Sequence, residues 1–246
     1  MCGRYAASRN PAALVEEFGV ERAAEEALAP DWNVAPTKPA YIVMDRVSPQ
    51  GDERRRELAV ARWGLVPSWA KDPSIGSRMI NARLESAAEK PSFRRAFARR
   101  RCIVPADGYY EWYTPSASAA DARPRKQPFF IYPADGSVLA MAGIYEWWRD
   151  PSVPEEDPGA WRLTMAVLTT ASGGDLARIH DRMPLLVEPA DRDRWLDPSV
   201  AIATEELLAA AVPAGQRLAA YPVSTAVNSV RHNGPQLIDP VPAEGE

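Results

Sequence analysis

CIVPADGYYEW, residues 102–112, reads as an apolar strand, a turn at Asp107 and Gly108, and a second strand rich in aromatic residues. Short apolar or alternating runs of the same kind recur on both sides, at 40–44, 57–62, 129–132, 138–145 and 162–169, each bounded by Pro, Gly or Asp, with a closing run at 219–223. Helices are predicted at the margins. Asn10 and Pro11 introduce one over 11–28, with Leu14, Val15, Phe18 and Val20 as its apolar positions, and others are predicted at 92–99, 174–179, 190–196 and 203–211. The pattern predicts an α+β fold with mainly antiparallel pairing. Segments 114–127 and 149–160 read as mobile surface insertions, and the tail after Pro240 as disordered.

The 246 residues are enough for a substantial core, and the 24 prolines, about twice the average share, predict many turns and short elements. No run of 18 apolar residues occurs, and MCGRYAASRNP lacks the apolar centre of a secretory signal, so a cytosolic protein without a membrane association is expected. Two cysteines without a CxxC pair and two histidines give neither a disulfide framework nor a zinc site; chemistry without a metal or cofactor is expected. The net charge of −4 argues against a nucleic-acid partner, but residues 62–101 hold ten Lys or Arg against three acids and carry +7. Either that segment is a DNA-facing surface on an acidic body, or Arg94 to Arg101 form a solvated helix face.

Cys2 is notable for its position. Removal of Met1 would leave a free 1,2-aminothiol, whose α-amine has a pKa near 8 and forms a Schiff base with an aldehyde; the neighbouring thiol can then close a five-membered thiazolidine. Read alone, it is more readily a small buried hydrophobe with no role, and the chemical reading needs partners. Gly3 permits close approach and Arg4 can hold a phosphate. In ARWGLVPSW, 61–69, two tryptophans flank a Gly and a Pro; Trp63 reads as core, and Trp69 as a flat surface on which a base can stack. Asn81 and Arg83 in INARLES offer an amide and a charged fork for sugar or phosphate. Glu111, between Tyr110 and Trp112, is either a desolvated proton shuttle or the partner of an arginine. His180, beside Asp181 and Arg182, is the better placed of the two histidines for acid and base work, His232 having no comparable setting.

Taken together and in order, MCGRY, NVAP (33–36), WGLVPSW, INARLES, PADGYYEW, QPFFIY (127–132), LTT followed by IHDRMP, and PVSTAVN resemble the SRAP (SOS response-associated peptidase) family over nearly the whole chain. The resemblance implies one SRAP domain over 1–240, built of barrel-like curved sheets with peripheral helices, and a short disordered tail at 241–246. It implies a monomer, nucleoid-associated at damage, that captures abasic sites in single-stranded DNA or at single-strand/duplex junctions as a thiazolidine crosslink. Cys2 is then the nucleophile, Asn81 positions the sugar, and Glu111 and His180 handle protons, also in a Schiff-base lyase route and in crosslink reversal. Arg4, Asn33, Pro36, Trp69, Arg83, Lys90 and Thr169 match positions lining the site or the DNA groove. Two departures stand out: Ala70 follows Trp69 where members pair tryptophans, and Pro91 aligns with an arginine whose charge Lys90 can supply. Two rival readings remain. One is a cysteine peptidase, either general or limited to its own Met1, and the other a noncovalent single-strand-binding module.

Overall fold

A computed structural model describes residues 2–48, 53–115, 125–154 and 156–242. The 102–112 segment does not fold back as a hairpin. Its first half belongs to β6 (Arg101–Ala106) in one sheet and its second to β7 (Gly108–Tyr113) in another, so Asp107 is a crossover. Asp107 is fixed there by its own N–H to Ala6 O and by its carboxylate, which accepts from Ser8 N at 2.6 Å. Gly108 is required because a Cβ would lie 2.6 Å from Ile131 O and 2.5 Å from the Phe130 ring.

The first sheet closes on itself. β3 (Pro39–Val47) pairs antiparallel with β4 (Arg54–Trp63) and β6, β6 with β9 (Leu139–Arg149), and β9 with β10 (Trp161–Ala171); β10 returns to β4 in parallel at Thr164↔Arg62. Beyond the barrel, the end of β10 carries β5 (Asn81–Arg83) in parallel and β11 (Arg182–Pro184) antiparallel. The second sheet is wholly antiparallel, in the order β12 (Leu218–Pro222), β8 (Gln127–Pro133), β7, β1 (Tyr5–Ala7), β2 (Asp31–Val34). The architecture is one α+β domain of mainly antiparallel sheets, as the sequence predicts.

Alternation along the barrel strands divides the core. Tyr41, Val43, Ile103, Ala142, Ile144 and Leu168 cluster with residues of α1 (Pro11–Phe18), α2 (Leu84–Ala87), α3 (Arg94–Arg99), α5 (Arg192–Leu196) and α6 (Thr204–Gly215). Their neighbours Ile42, Trp63, Cys102, Val104 and Met165 cluster with Cys2, Tyr5, Tyr109 and Ile131 of the second sheet, and α4 (Leu176–Ile179) contributes Leu176 to the same side. Helices therefore cover one face and the N-terminal strand meets the other.

Several expectations change. The first helix stops at Phe18, because Gly19 takes the left-handed conformation and Val20 N–H bonds back to Val15 O; the following residues lie extended along β4, with Glu21 N–H on Arg56 O and Leu58 N–H on Arg22 O. The 149–160 segment is clamped at its ends by Asp150 N–H to Ala160 O and by an Arg162–Asp150 ion pair. In the 114–127 segment, residues 116–124 lie outside the described residues and Gln127 opens β8. Of the expected tail, 243–246 lie outside them too, while Val241 N–H bonds Pro222 O. Among the described residues no helix is long and apolar enough to cross a membrane.

Candidate active site

β1 lies inside the second sheet, between β7 and β2, and its register (Tyr5↔Tyr109, with Tyr110 N–H on Arg4 O at 2.9 Å) carries residues 2–4 alongside Glu111. Cys2 is fully buried. Burial, and after it the negative charge of Glu111, hold its thiol well above the ordinary range, so the sulfur is protonated in this state. Asn81 reaches Cys2 from β5, donating from Nδ2 to Cys2 O at 2.7 Å, while its buried Oδ1 has no hydrogen-bond partner among the described residues. An acceptor is thus available for an arriving hydroxyl or amine.

Glu111 is 3% exposed, and burial is the main cause pushing its pKa up to about 7. Its Oε2 lies 3.8 Å from His180 Nε2. Burial lowers the His180 pKa from its ordinary value, so the ring is neutral at pH 7. Arg182 N–H donates to His180 Nδ1 at 3.0 Å, which puts the neutral ring's proton on Nε2, facing Glu111. Asp181 Oδ1, also 3.0 Å from Nδ1, becomes the acceptor when the ring gains a second proton. The pair is a carboxyl whose titration burial has moved toward neutrality beside a neutral imidazole, an arrangement suited to moving protons in either direction.

The structure brings Cys2, Asn81, Glu111 and His180 together from four separate segments; the other expected residues divide. Trp69 is 59% exposed, while Trp63 is fully buried and its Nε1–H on Ile80 O fixes the strand that carries Asn81. Arg83 and Lys90 are exposed. Pro36 is half-buried in an Ala35–Lys38 turn whose third residue, Thr37, has φ 74°, an outlier for a β-branched residue. Arg4 donates to Asn33 Oδ1 (2.7 Å) and Val227 O (2.8 Å), with its guanidinium 6.0 Å from the Trp112 ring centre.

Asn33 and Thr169, expected to line the site or the DNA groove, are both 0% exposed. Asn33 donates to Ser229 O and His232 O, so it holds Arg4 and the 227–232 segment together. Thr169 sits between Arg83 and Pro184 in the register, and its carbonyl accepts from Arg182 Nη2 at 2.6 Å. Ala70 is buried, its carbonyl accepting from Trp148 Nε1, and so does not extend the exposed Trp69 surface.

Arg182 is a functional neighbour to which the sequence assigned no role. It grips Glu85 with both terminal nitrogens (2.6 and 2.9 Å) and thereby joins INARLES to IHDRMP. The signal was present, an acid in one motif and an arginine in the other, but their pairing is nonlocal. The basic segment is split as well. Arg101 is buried and donates to the carbonyls of Trp195, Phe97, Ala98, Asp197 and Val200, while Arg100 pairs with Glu146, so these two cations are structural.

Residues 1–230 match the family described as SOS response associated peptidase (SRAP). The abasic site processing protein YoqW of Bacillus subtilis is 35% identical over 241 residues, 97% of this chain and 99% of the relative. YedK of Escherichia coli, which bears the same functional name, is 33% identical over 98% of this chain and 100% of its own length, and HMCES of Gallus gallus 31% identical over 98% and 78%. A crystal structure of a protein from Bacteroides thetaiotaomicron superposes with a TM-score of 0.77 at 25% identity, covering 98% of this chain and all of that one.

Proposed function

Since the chain belongs to the SRAP family, we propose that it processes abasic sites in DNA, capturing the ring-opened sugar aldehyde covalently through Cys2 once Met1 has been removed. The observation that carries this reading is the placement of Cys2 beside a carboxyl group of pKa about 7 with Asn81 bonded to its carbonyl. The Cys2 amine adds to the aldehyde carbon. The carbinolamine hydroxyl leaves as water, taking a proton from the protonated carboxyl of Glu111, and the iminium left behind returns its N–H proton to the Glu111 carboxylate to give the imine. The thiol sulfur then adds to the imine carbon as its proton passes to nitrogen, closing the thiazolidine. If the ring does not close, the same imine is the intermediate for lyase cleavage of the strand.

Arg4, Pro36, Trp69, Arg83 and Lys90 present cations and a stacking surface to single-stranded DNA or a single-strand/duplex junction. A cysteine peptidase fits less well, because a Cys–His nucleophile needs a depressed thiol pKa and burial moves this one upward. The test incubates protein, shown by intact mass to lack Met1, with abasic single-stranded DNA, followed by denaturing electrophoresis. A shifted band is expected from the wild type and none from Cys2→Ala. A full-strength band from Cys2→Ala rules out Cys2 as the nucleophile, and salt-sensitive binding that vanishes on denaturation leaves only a noncovalent module.

A further inference from the structure

Helix α3 and the end of β3 enclose an open groove of about 700 Å³ lined by Arg46, Arg94, Arg95, Arg99 and Arg100, with Asp45 as its one lining acid. Asp45 is 4% exposed and already bound by Arg56 and Arg54. Arg100 is neutralised by Glu146, Arg46 lies 3.6 Å from Glu57 and over the Trp147 ring, and Arg99 donates to Pro198 O. The Arg94 side chain has no hydrogen-bonding or ionic partner among the described residues, and that of Arg95 acts on Glu146 only through space. Five guanidinium groups around one groove repel each other, and while Glu146 and Glu57 partner two of them, Arg94 and Arg95 have no ion pair among the described residues that would fix them there.

The groove is not the reacting site. The site lies at the Pro39 end of β3, where Thr37 N–H bonds Trp63 O and Trp63 fixes Ile80 next to Asn81. Arg46 stands seven residues further along that strand, about 23 Å at 3.3 Å per residue. We propose that this arginine groove is a second nucleic-acid subsite, which holds backbone phosphates of the substrate strand several nucleotides from the captured sugar. Guanidinium forks match phosphate oxygens. Lys90, exposed and four residues before Arg94 in the chain, adds a further cation ahead of α3. The proposal rests on the reading of the chain as DNA-acting.

Binding of undamaged single strands of about 5 and about 25 nucleotides, measured by fluorescence anisotropy across salt concentration, tests it. Arg94→Glu/Arg95→Glu is expected to bind the long strand roughly ten-fold more weakly, with a log K against log salt slope shallower by about 1.4, the value for two single-strand phosphate contacts. Binding of the short strand, and crosslinking to a short abasic strand, are expected to match wild type. Arg194→Glu/Arg217→Glu, which makes the same change of net charge at exposed sites outside the groove, is expected to leave the long-strand affinity within two-fold, on the scale of screened surface charges. Equal long-strand affinity in wild type and the Arg94/Arg95 variant overturns the subsite, as does equal loss on short and long strands or equal loss in the control variant. Failure of wild type to crosslink abasic DNA while the long-strand difference persists overturns the covalent reading alone.

Discussion

Glu111 and His180 differ in how burial acts on them. A buried carboxyl favours its neutral form and so titrates high, whereas a buried imidazole favours its neutral form and so titrates low. If Glu111 donates the proton on which loss of water depends, the rate of crosslinking falls as pH rises through about 7. Glu111→Gln is expected to be about 100-fold slower at pH 7, to lose that alkaline decline, and to bind undamaged DNA within a few fold of wild type. Stability carries the same signature. The folded-state pKa of about 7 lies above the ordinary 4.5, so the contribution of this group is complete below pH 4.5 and is lost as pH rises through 7. Thermal unfolding should find Glu111→Gln more stable than wild type at pH 8, by roughly 1–3 kcal/mol, with the difference gone below about pH 4. The reactive types were legible in the sequence because chemistry limits the choice to an aminothiol, a carboxyl, an amide and an imidazole. That Asn33 is buried was not legible, since its burial depends on partners nearly 200 residues away, Ser229 and His232.

At the scale of elements, the long strands were readable from alternation and the three-residue ones were not. Strands β5 and β11 have too few residues for a period; the end of β10 recruits them, and they carry Asn81 and Arg182. The helix predicted over 11–28 was overdrawn because Gly19 ends it, and Val20, apolar and apparently in phase, belongs to a segment laid on β4. Two predictions belong here. Gly64 (φ 132°) and Gly76 approach so closely that a Cβ on Gly64 would lie 2.6 Å from Gly76 O, so Gly64→Ala should cost about 3 kcal/mol in denaturant unfolding and displace the loop leading to Asn81. Asn33→Ala removes the acceptor of Arg4 and the donor to two carbonyls; a loss of about 2 kcal/mol is expected, together with faster proteolysis within 227–232. Unchanged stability would mean that Asn33 faces its partners without holding them.

At the scale of the whole molecule, the barrel is the rigid body and the second sheet is built onto it through the Asp107 crossover. Strands β6, β9 and β10 are each paired on both edges, whereas β2 and β12 are the two edges of the open sheet. In native-state hydrogen exchange, amides of β6, β9 and β10 should exchange last and those of β12 first; equal protection would make the two sheets one cooperative unit. Composition bounded this scale well, because the +7 segment was visible as a sum. Its division between structural and exposed cations was not, since Arg101 is identical in the sequence to Arg94 and differs only in the five carbonyls around it.

The interior position of β1 also sets a clock. Strand β1 is held by β7, and roughly 100 residues separate them, which a ribosome takes about 5 to 20 seconds to make. Through that interval the start of the chain has emerged while its place in the sheet does not yet exist. The trimming that the proposed chemistry requires therefore falls naturally during synthesis, before the strand that would shelter the terminus has been translated. A slow or overloaded aminopeptidase would leave a fraction of molecules correctly folded and permanently inert, a loss that no refolding step would repair.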